Sequence, residues 1–328
     1  MIKYVSTLGG VDMIKTVFMG TPEFACGILN TLLDMDEIEV IGVVSQPDKK
    51  VGRKQVLQMT PVKKLALEHD LPVFQPERIK TDYQTLLDWN PDLVVTCAYG
   101  QLVPKIVLES FVYGCINVHA SLLPKYRGGS PMHTAILNGE TETGVTIMRM
   151  VQRMDAGEMY HVRKVAIDPD DTTEILHDKL MECGALALRE SLVDVCAGKR
   201  KGIAQDESKV TYAWNITKQQ ELIGFDEDYE TTVNHIRGLI SWPVGYTYLE
   251  GKKVKLHGVR RTNRYSNKED GTIVGLSSDG LDVALKGRIL AITSLQMEGK
   301  GKVSAKEFMN GTGRNSVGKK FTGVNESL

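Results

Sequence analysis

A chain of 328 residues, 42 % hydrophobic and 25 % charged, suits about two globular domains and excludes collagen, low complexity and wholesale disorder. Its apolar runs fall far short of the roughly 18 residues of a membrane span, so no membrane partner is expected. Cys26, Cys97, Cys115, Cys183 and Cys196 are scattered without a CxxC pair, which argues against a disulfide framework or zinc ribbon and for a reducing, cytoplasmic compartment.

Met13-Ile14-Lys15 repeats Met1-Ile2-Lys3, so residues 1–12 read as an N-terminal extension outside the fold. Val17–Met19 is a short apolar strand. Gly20-Thr21-Pro22-Glu23 then caps a helix running to about Met35. Glu39–Val44 is β-branched and strand-like. A polar loop reaches Thr60, and Pro61 opens another helix. Asp92–Thr96, Gly114–His119 and Gly144–Met150 read as strands, with a helix at Met132–Leu137 before the last. Strands separated by helices predict an α/β domain over 13–200, with a Rossmann-like, doubly wound, mostly parallel sheet. Ligands of such sheets bind beyond the C-terminal strand ends, near the reversal of strand order.

Residues 172–198 predict one long amphipathic helix. A linker at 201–218 opens a second domain at 219–328. Its helix at Tyr229–Leu239 is stopped by Trp242-Pro243. Short strands at Tyr246–Glu250, Lys253–Val259, Gly271–Leu276, Leu281–Leu285 and Ile289–Leu295 predict a small OB-like β-barrel.

Net charge is −1, yet residues 1–200 carry 21 Lys and Arg against 26 acids, and residues 201–328 carry 19 against 15. Lys49, Lys50, Arg53, Lys54, Lys63 and Lys64 face only Asp48 within 46–64. Lys252, Lys253, Lys255, Arg260, Arg261 and Arg264 stand in 252–264 without an acid. Such clusters suggest a local polyanion contact, although a solvated face carries the same pattern.

The stretch Gly114–Pro124 holds the chemistry. Alternate strand residues share a face, so Asn117 and His119 point one way and Ile116 and Val118 the other. An amide donor beside an imidazole suits an oxygen that develops negative charge; the same pair also suits a strand-end cap. Asp155, in a loop after the Thr146–Met150 strand, could stand beside His119 and favour its charged form, or serve an ordinary turn. Cys115 beside them reads as a structural cysteine.

With Ser-Leu-Leu-Pro at 121–124, Arg-Gly-Gly-Ser-Pro at 127–131 and Asp155 spaced 36 residues after His119, Asn117-x-His119 resembles the 10-formyltetrahydrofolate-dependent formyltransferases. Phe18–Ala25, Gln46–Lys49, Ala98-Tyr99-Gly100, Ile236-Arg237-Gly238 and Trp242-Pro243 extend the resemblance over about 14–325. They point to the branch whose acceptor is initiator methionyl-tRNA. The resemblance implies a formyltransferase fold and a tetrahedral oxyanion held by Asn117 and His119, with Asp155 keeping His119 charged. It implies 10-formyltetrahydrofolate as co-substrate and no metal; separately, no second apolar surface is evident from the patterning, which predicts a monomer. Folate would lie along Tyr99, Gly100, Gln101, Leu102, Val103 and Pro104 and along Ser121, Leu122, Leu123 and Pro124. Transfer RNA would meet Lys49, Lys50, Arg53 and Lys54, and Lys252, Lys253, Lys255, Arg260 and Arg261.

Ala213-Trp214-Asn215 departs from the family pattern, which has Pro-Lys after Tyr-Ala and suggests a tRNA-contacting lysine there. A formyltransferase acting on an amino-sugar nucleotide would share the first domain but have no use for the basic segments. A non-catalytic RNA-binding protein would have no use for Asn117, His119 and Asp155. A folate hydrolase stays open. A dinucleotide dehydrogenase is disfavoured, because Gly20-Thr21-Pro22-Glu23 is not GxGxxG.

Overall fold

The computed structural model describes residues 13–52 and 55–324; the expected extension 1–12, Arg53 and Lys54 lie outside the described residues. The chain divides into two units. The first holds the residues up to Gly129 with Gly144–Val165 and Lys179–Tyr212; the second holds Ser130–Thr143, Ala166–Asp178 and the residues from Ala213 on.

In chain order the elements up to residue 129 are β1 (Ile14–Gly20), α1 (Glu23–Leu33), β2 (Ile38–Val44), β3 (Lys49–Val51), β4 (Val56–Gln58), α2 (Pro61–Glu68), β5 (Val73–Phe74), α3 (Gln84–Asp88), β6 (Leu93–Cys97), α4 (Lys105–Leu108) and β7 (Cys115–His119). Then come α5 (Pro131–Leu137), β8 (Glu142–Arg149), β9 (Met159–Ala166), α6 (Thr173–Arg189) and α7 (Leu192–Cys196). The main sheet of the first unit runs β5-β2-β1-β6-β7-β8-β9. Its first five strands are parallel, and β8 runs antiparallel to β7. The doubly wound, mostly parallel sheet is therefore present. Strand order reverses between β1 and β6, whose central residues Val17, Phe18, Val94 and Val95 are fully buried, as continuous apolar strands of such a sheet require.

Three local readings change. The polar stretch before Thr60 folds into the β3–β4 hairpin, whose Val51, Val56 and Leu57 are exposed and carry no burial alternation. Strand β9 is an edge strand rich in charge, which hid it. The helix expected over 172–198 breaks into α6 and α7, because the Ser191 hydroxyl donates back to the Ala187 carbonyl at 2.7 Å and Ser191 leaves helical geometry at φ −128°.

In the second unit α8 (Tyr229–Gly238) precedes β10 (Tyr246–Leu249), β11 (Lys252–Tyr265), β12 (Ile273–Leu276), β13 (Leu281–Leu285), β14 (Arg288–Met297), β15 (Val303–Ser304), α9 (Ala305–Asn310) and β16 (Phe321–Thr322). Its antiparallel sheet runs β12-β13-β14-β11-β10-β16. The sheet curls until its ends meet: Phe321 N donates to Gly271 O at 2.9 Å and Ile273 N to Lys319 O at 2.8 Å. This is the OB-like arrangement expected. Alternate inward residues Val254, Leu256, Leu281, Val283, Leu290 and Ile292 fill it, and α8 and α9 add Ile236 and Phe308. Strand β11 outruns its expected end at Val259, because its pairing with β14 continues through Arg260, Arg261 and Tyr265.

Candidate active site

Strand β7 carries the candidate residues Asn117 and His119, and the register of its neighbours decides what surrounds them. Thr96 on β6 pairs with Asn117, and Thr146 on β8 pairs with His119. Paired residues of adjacent strands face the same side. The Thr96 hydroxyl accordingly donates to Asn117 Oδ1 at 2.8 Å. With its oxygen engaged, Asn117 offers the two N–H groups of Nδ2 on its other side. Thr146 shapes the loop beyond the strand: its hydroxyl donates to Ser121 O at 2.7 Å and accepts from Leu123 N at 3.2 Å.

His119 is buried, and its Nε2 lies 3.0 Å from the Tyr126 carbonyl. A carbonyl only accepts, so Nε2 carries a proton. Nδ1 faces Asp155 Oδ2 at 3.8 Å, a distance that suits ion pairing but exceeds a direct hydrogen bond. The same Oδ2 accepts from Gly128 N at 2.8 Å. Asp155 reaches this place because the chain doubles back after β8. Arg149 N donates to Glu158 O at 2.9 Å, and a Cβ at Gly157 would stand 1.8 Å from the Arg149 carbonyl oxygen, so glycine alone fits there. Asp155 itself adopts φ +48°. The arrangement combines a fixed amide donor and an imidazole next to a carboxylate, which suits stabilisation of an oxyanion and movement of a proton.

Cys115 is not part of this chemistry. Its thiol is buried 3.7 Å from the Val107 carbonyl, and burial pushes its pKa up to about 12, so almost no thiolate exists at neutral pH.

The candidate folate segments fall into two sorts. Tyr99 and Val103 place their side chains in the apolar core with Val17, Val94 and Val107. The Tyr99 carbonyl accepts from the Thr21 hydroxyl at 3.0 Å and from Gln46 Nε2 at 3.1 Å, which ties together the loops after β1, β2 and β6. Gln101 spends Oε1 on Ile79 N at 2.8 Å. Gly100 takes φ +88°, Leu102 is exposed, and Pro104 caps α4. Ser121 and Leu123 are buried, and the Ser121 hydroxyl donates to Lys125 O at 2.7 Å; Leu122 and Pro124 are half-buried.

The candidate basic residues also differ. Lys49 and Lys50 are exposed on the β3–β4 hairpin. In the second unit Lys252 is exposed, Lys255 half-exposed, and Lys253 lies 3.4 Å over the Tyr246 ring. Arg261 is occupied: Nε meets Glu230 Oε2 at 2.9 Å and Nη2 meets Asn234 Oδ1 at 2.9 Å. Arg264 pairs with Asp282 and, at 3.2 Å, Asp279; Arg260 lies 3.6 Å from Asp279. These arginines already have counter-charges, which a run of bases in sequence conceals. Thr96 and Tyr126 were not foreseen as site residues. Thr96 reads as one more buried strand residue, and the Tyr126 contact uses only its backbone.

Residues 14–192 match the family described as formyl transferase, and residues 215–313 match its C-terminal domain. The chain is 48 % identical over 303 residues to the methionyl-tRNA formyltransferase of Bacillus thuringiensis subsp. konkukian (strain 97-27), covering 92 % of this chain and 96 % of that protein. It is 46 % identical to that of Bacillus mycoides (strain KBAB4) with the same coverage. Among solved structures, HypX from Aquifex aeolicus in complex with tetrahydrofolic acid aligns with a TM-score of 0.65 at 15 % identity, over 93 % of this chain; the chain spans 48 % of HypX's length. WlaRD, a sugar 3N-formyl transferase in the presence of dTDP and 5-N-formyl-THF, aligns with a TM-score of 0.62 at 19 % identity, over 88 % of this chain and 99 % of WlaRD. These two likenesses speak for the fold alone.

Proposed function

The chain belongs to the methionyl-tRNA formyltransferase family, and on that footing we propose that it transfers the formyl group of 10-formyltetrahydrofolate to the α-amino group of methionine on initiator tRNA. The amino nitrogen attacks the formyl carbon, and the carbonyl oxygen becomes a tetrahedral oxyanion. Asn117 Nδ2 donates to that oxygen. His119, with Nε2 engaged by Tyr126 O and Nδ1 beside Asp155, stabilises the oxyanion through the positive charge of its imidazolium. Asp155 stabilises the charge on His119 and, through water, helps pass the proton from the attacking nitrogen to N10 of the folate. The bond between the formyl carbon and N10 then breaks, releasing tetrahydrofolate and formylmethionyl-tRNA. The scheme uses no metal and no covalent enzyme intermediate.

The observation that carries this reading is the fixed orientation of Asn117, whose oxygen is held by Thr96 at 2.8 Å so that its donors are left for the reaction. Folate would bind along 99–104 and 121–124, with backbone groups reading the pterin edge. Phosphates of the tRNA would meet Lys49, Lys50, Arg53 and Lys54, and Lys252, Lys253 and Lys255; Arg260 and Arg261 would join only by exchanging their acidic partners. The enzyme would act as a cytoplasmic monomer.

The test is formyl transfer by purified protein from 10-formyltetrahydrofolate to charged initiator methionyl-tRNA, run beside an amino-sugar nucleotide as rival acceptor. Transfer to the tRNA is the expected result; transfer to the sugar alone would overturn the choice of acceptor. In the same assay Thr96→Val, which keeps the shape and removes the donor, should lower kcat about tenfold while changing stability by only about 1 kcal/mol. Unchanged turnover would mean that Asn117 keeps its orientation without Thr96.

A further inference from the structure

Among the described residues, Arg127 is the largest fully buried side chain, at 0 % exposure. Burying a guanidinium is an expensive way to stabilise a fold, since a well-packed apolar side chain of similar volume does as well or better. Its contacts indicate another use. Nε and Nη2 both donate to Gln205 Oε1, at 3.0 and 2.8 Å, and Nη2 also donates to Glu207 Oε1 at 2.8 Å. Nη1 is buried and has no partner among the described residues.

Gln205 continues the chain of contacts. Its Nε2 donates to Asp155 O at 2.7 Å and to Gly157 O at 2.8 Å. One side chain therefore grips two carbonyls of the turn that carries the carboxylate. Asp155 sits at φ +48°, in the left-handed region that non-glycine residues adopt sparingly, so a hold on the turn keeps it there. The residue after Arg127 completes the hold, because Gly128 N donates to Asp155 Oδ2 at 2.8 Å. The Arg127 backbone is itself anchored, with its N–H donating to Thr211 O at 2.9 Å.

We propose that Arg127 and Gln205 are positioning residues that fix Asp155 against His119. This rests on the proposed catalytic role of Asp155. The guanidinium orients the Gln205 amide so that its NH2 must face the turn, and the amide sets the backbone from which the carboxylate projects. Glu207, which also binds Arg153 Nη2 at 2.8 Å, supplies the counter-charge. Neither Arg127 nor Gln205 needs to touch either substrate.

The discriminating variant is Gln205→Glu. It keeps the volume and gives Arg127 a stronger partner, but it cannot donate to the two carbonyls. A residue that served only to neutralise Arg127 would tolerate it. The expected result is a kcat lowered about 10- to 100-fold, because small misplacements of a catalytic group are costly, with KM for both substrates within about twofold. The second arm is a double-mutant cycle: in an Asp155→Asn background, Gln205→Glu should change kcat less than about twofold. Gln205→Met, which also lacks the donor, gives the same readouts should the Glu variant fold poorly. Normal kcat in folded Gln205 variants, a loss confined to KM, or an undiminished loss in the Asp155→Asn background would each overturn the brace. Full activity of Asp155→Asn alone would instead remove the catalytic reading on which the brace depends.

Discussion

Replacing Asn117 by alanine is expected to lower kcat for formyl transfer about 100- to 1,000-fold, the loss that follows removal of one oxyanion donor worth roughly 2.7–4 kcal/mol. The expectation follows from geometry. Thr96 holds Oδ1 at 2.8 Å, so what alanine removes is the pair of Nδ2 donors. The formyl oxygen gains its charge only as the tetrahedral centre forms. The loss should therefore appear in kcat and in kcat/KM, with KM for the folate nearly unchanged. Asn117→Asp sharpens the test, because it preserves size while replacing a donor by a carboxylate that repels the oxyanion. It should be at least as damaging as alanine. Single-turnover rates on protein shown to be folded by thermal melting check both. A loss below about tenfold in either variant would remove Asn117 from the oxyanion site.

Asp155→Asn should lower kcat about 100- to 10,000-fold, the range of a general acid–base group. The amide is nearly isosteric and can still accept from Gly128 N, so the turn keeps its hydrogen bond. What disappears is the negative charge 3.8 Å from His119 Nδ1. On the proposed mechanism, His119 would lose its counter-charge and the proton route its basic end. His119→Ala should fall in the same range. The double variant His119→Ala with Asp155→Asn should be little worse than either single one, since the two act as a unit. Additive losses in that cycle would mean separate roles and would contradict a working pair.

The reading of the sequence went furthest where the signal is local. Apolar β-branched runs broken by proline and glycine marked β1, β2, β6, β7 and β8, and short strands between glycine turns marked the barrel of the second unit. Alternation along β7 sufficed to put Asn117 and His119 on one face. Where periodicity and contact order diverge, the reading weakened. Charged edge strand β9 has no fully buried residue to mark a core face, and a single serine back-bond at Ser191 divides a pattern that reads as one helix.

Much of the site was decided only by tertiary structure. Nothing near Asn117 in sequence indicates that Thr96, 21 positions earlier, sets its amide; the β6–β7 register does that. Gln205 lies 50 positions from Asp155 in a polar connecting segment and reads as solvated, yet its amide reaches two carbonyls of the Asp155 turn. The basic run at 252–264 reads as free charge, while the folded second unit brings Glu230 of α8, Asp279 and Asp282 to three of its arginines. The physical reason is common to all three. Propensity and periodicity arise from interactions within a few residues, so the sequence alone determined most strands of the two sheets and the alternation that puts Asn117 and His119 on one face of β7. Hydrogen bonds and ion pairs are chosen by proximity after strands take their register, so only the tertiary structure decided which donors, acceptors and charges remain available for chemistry.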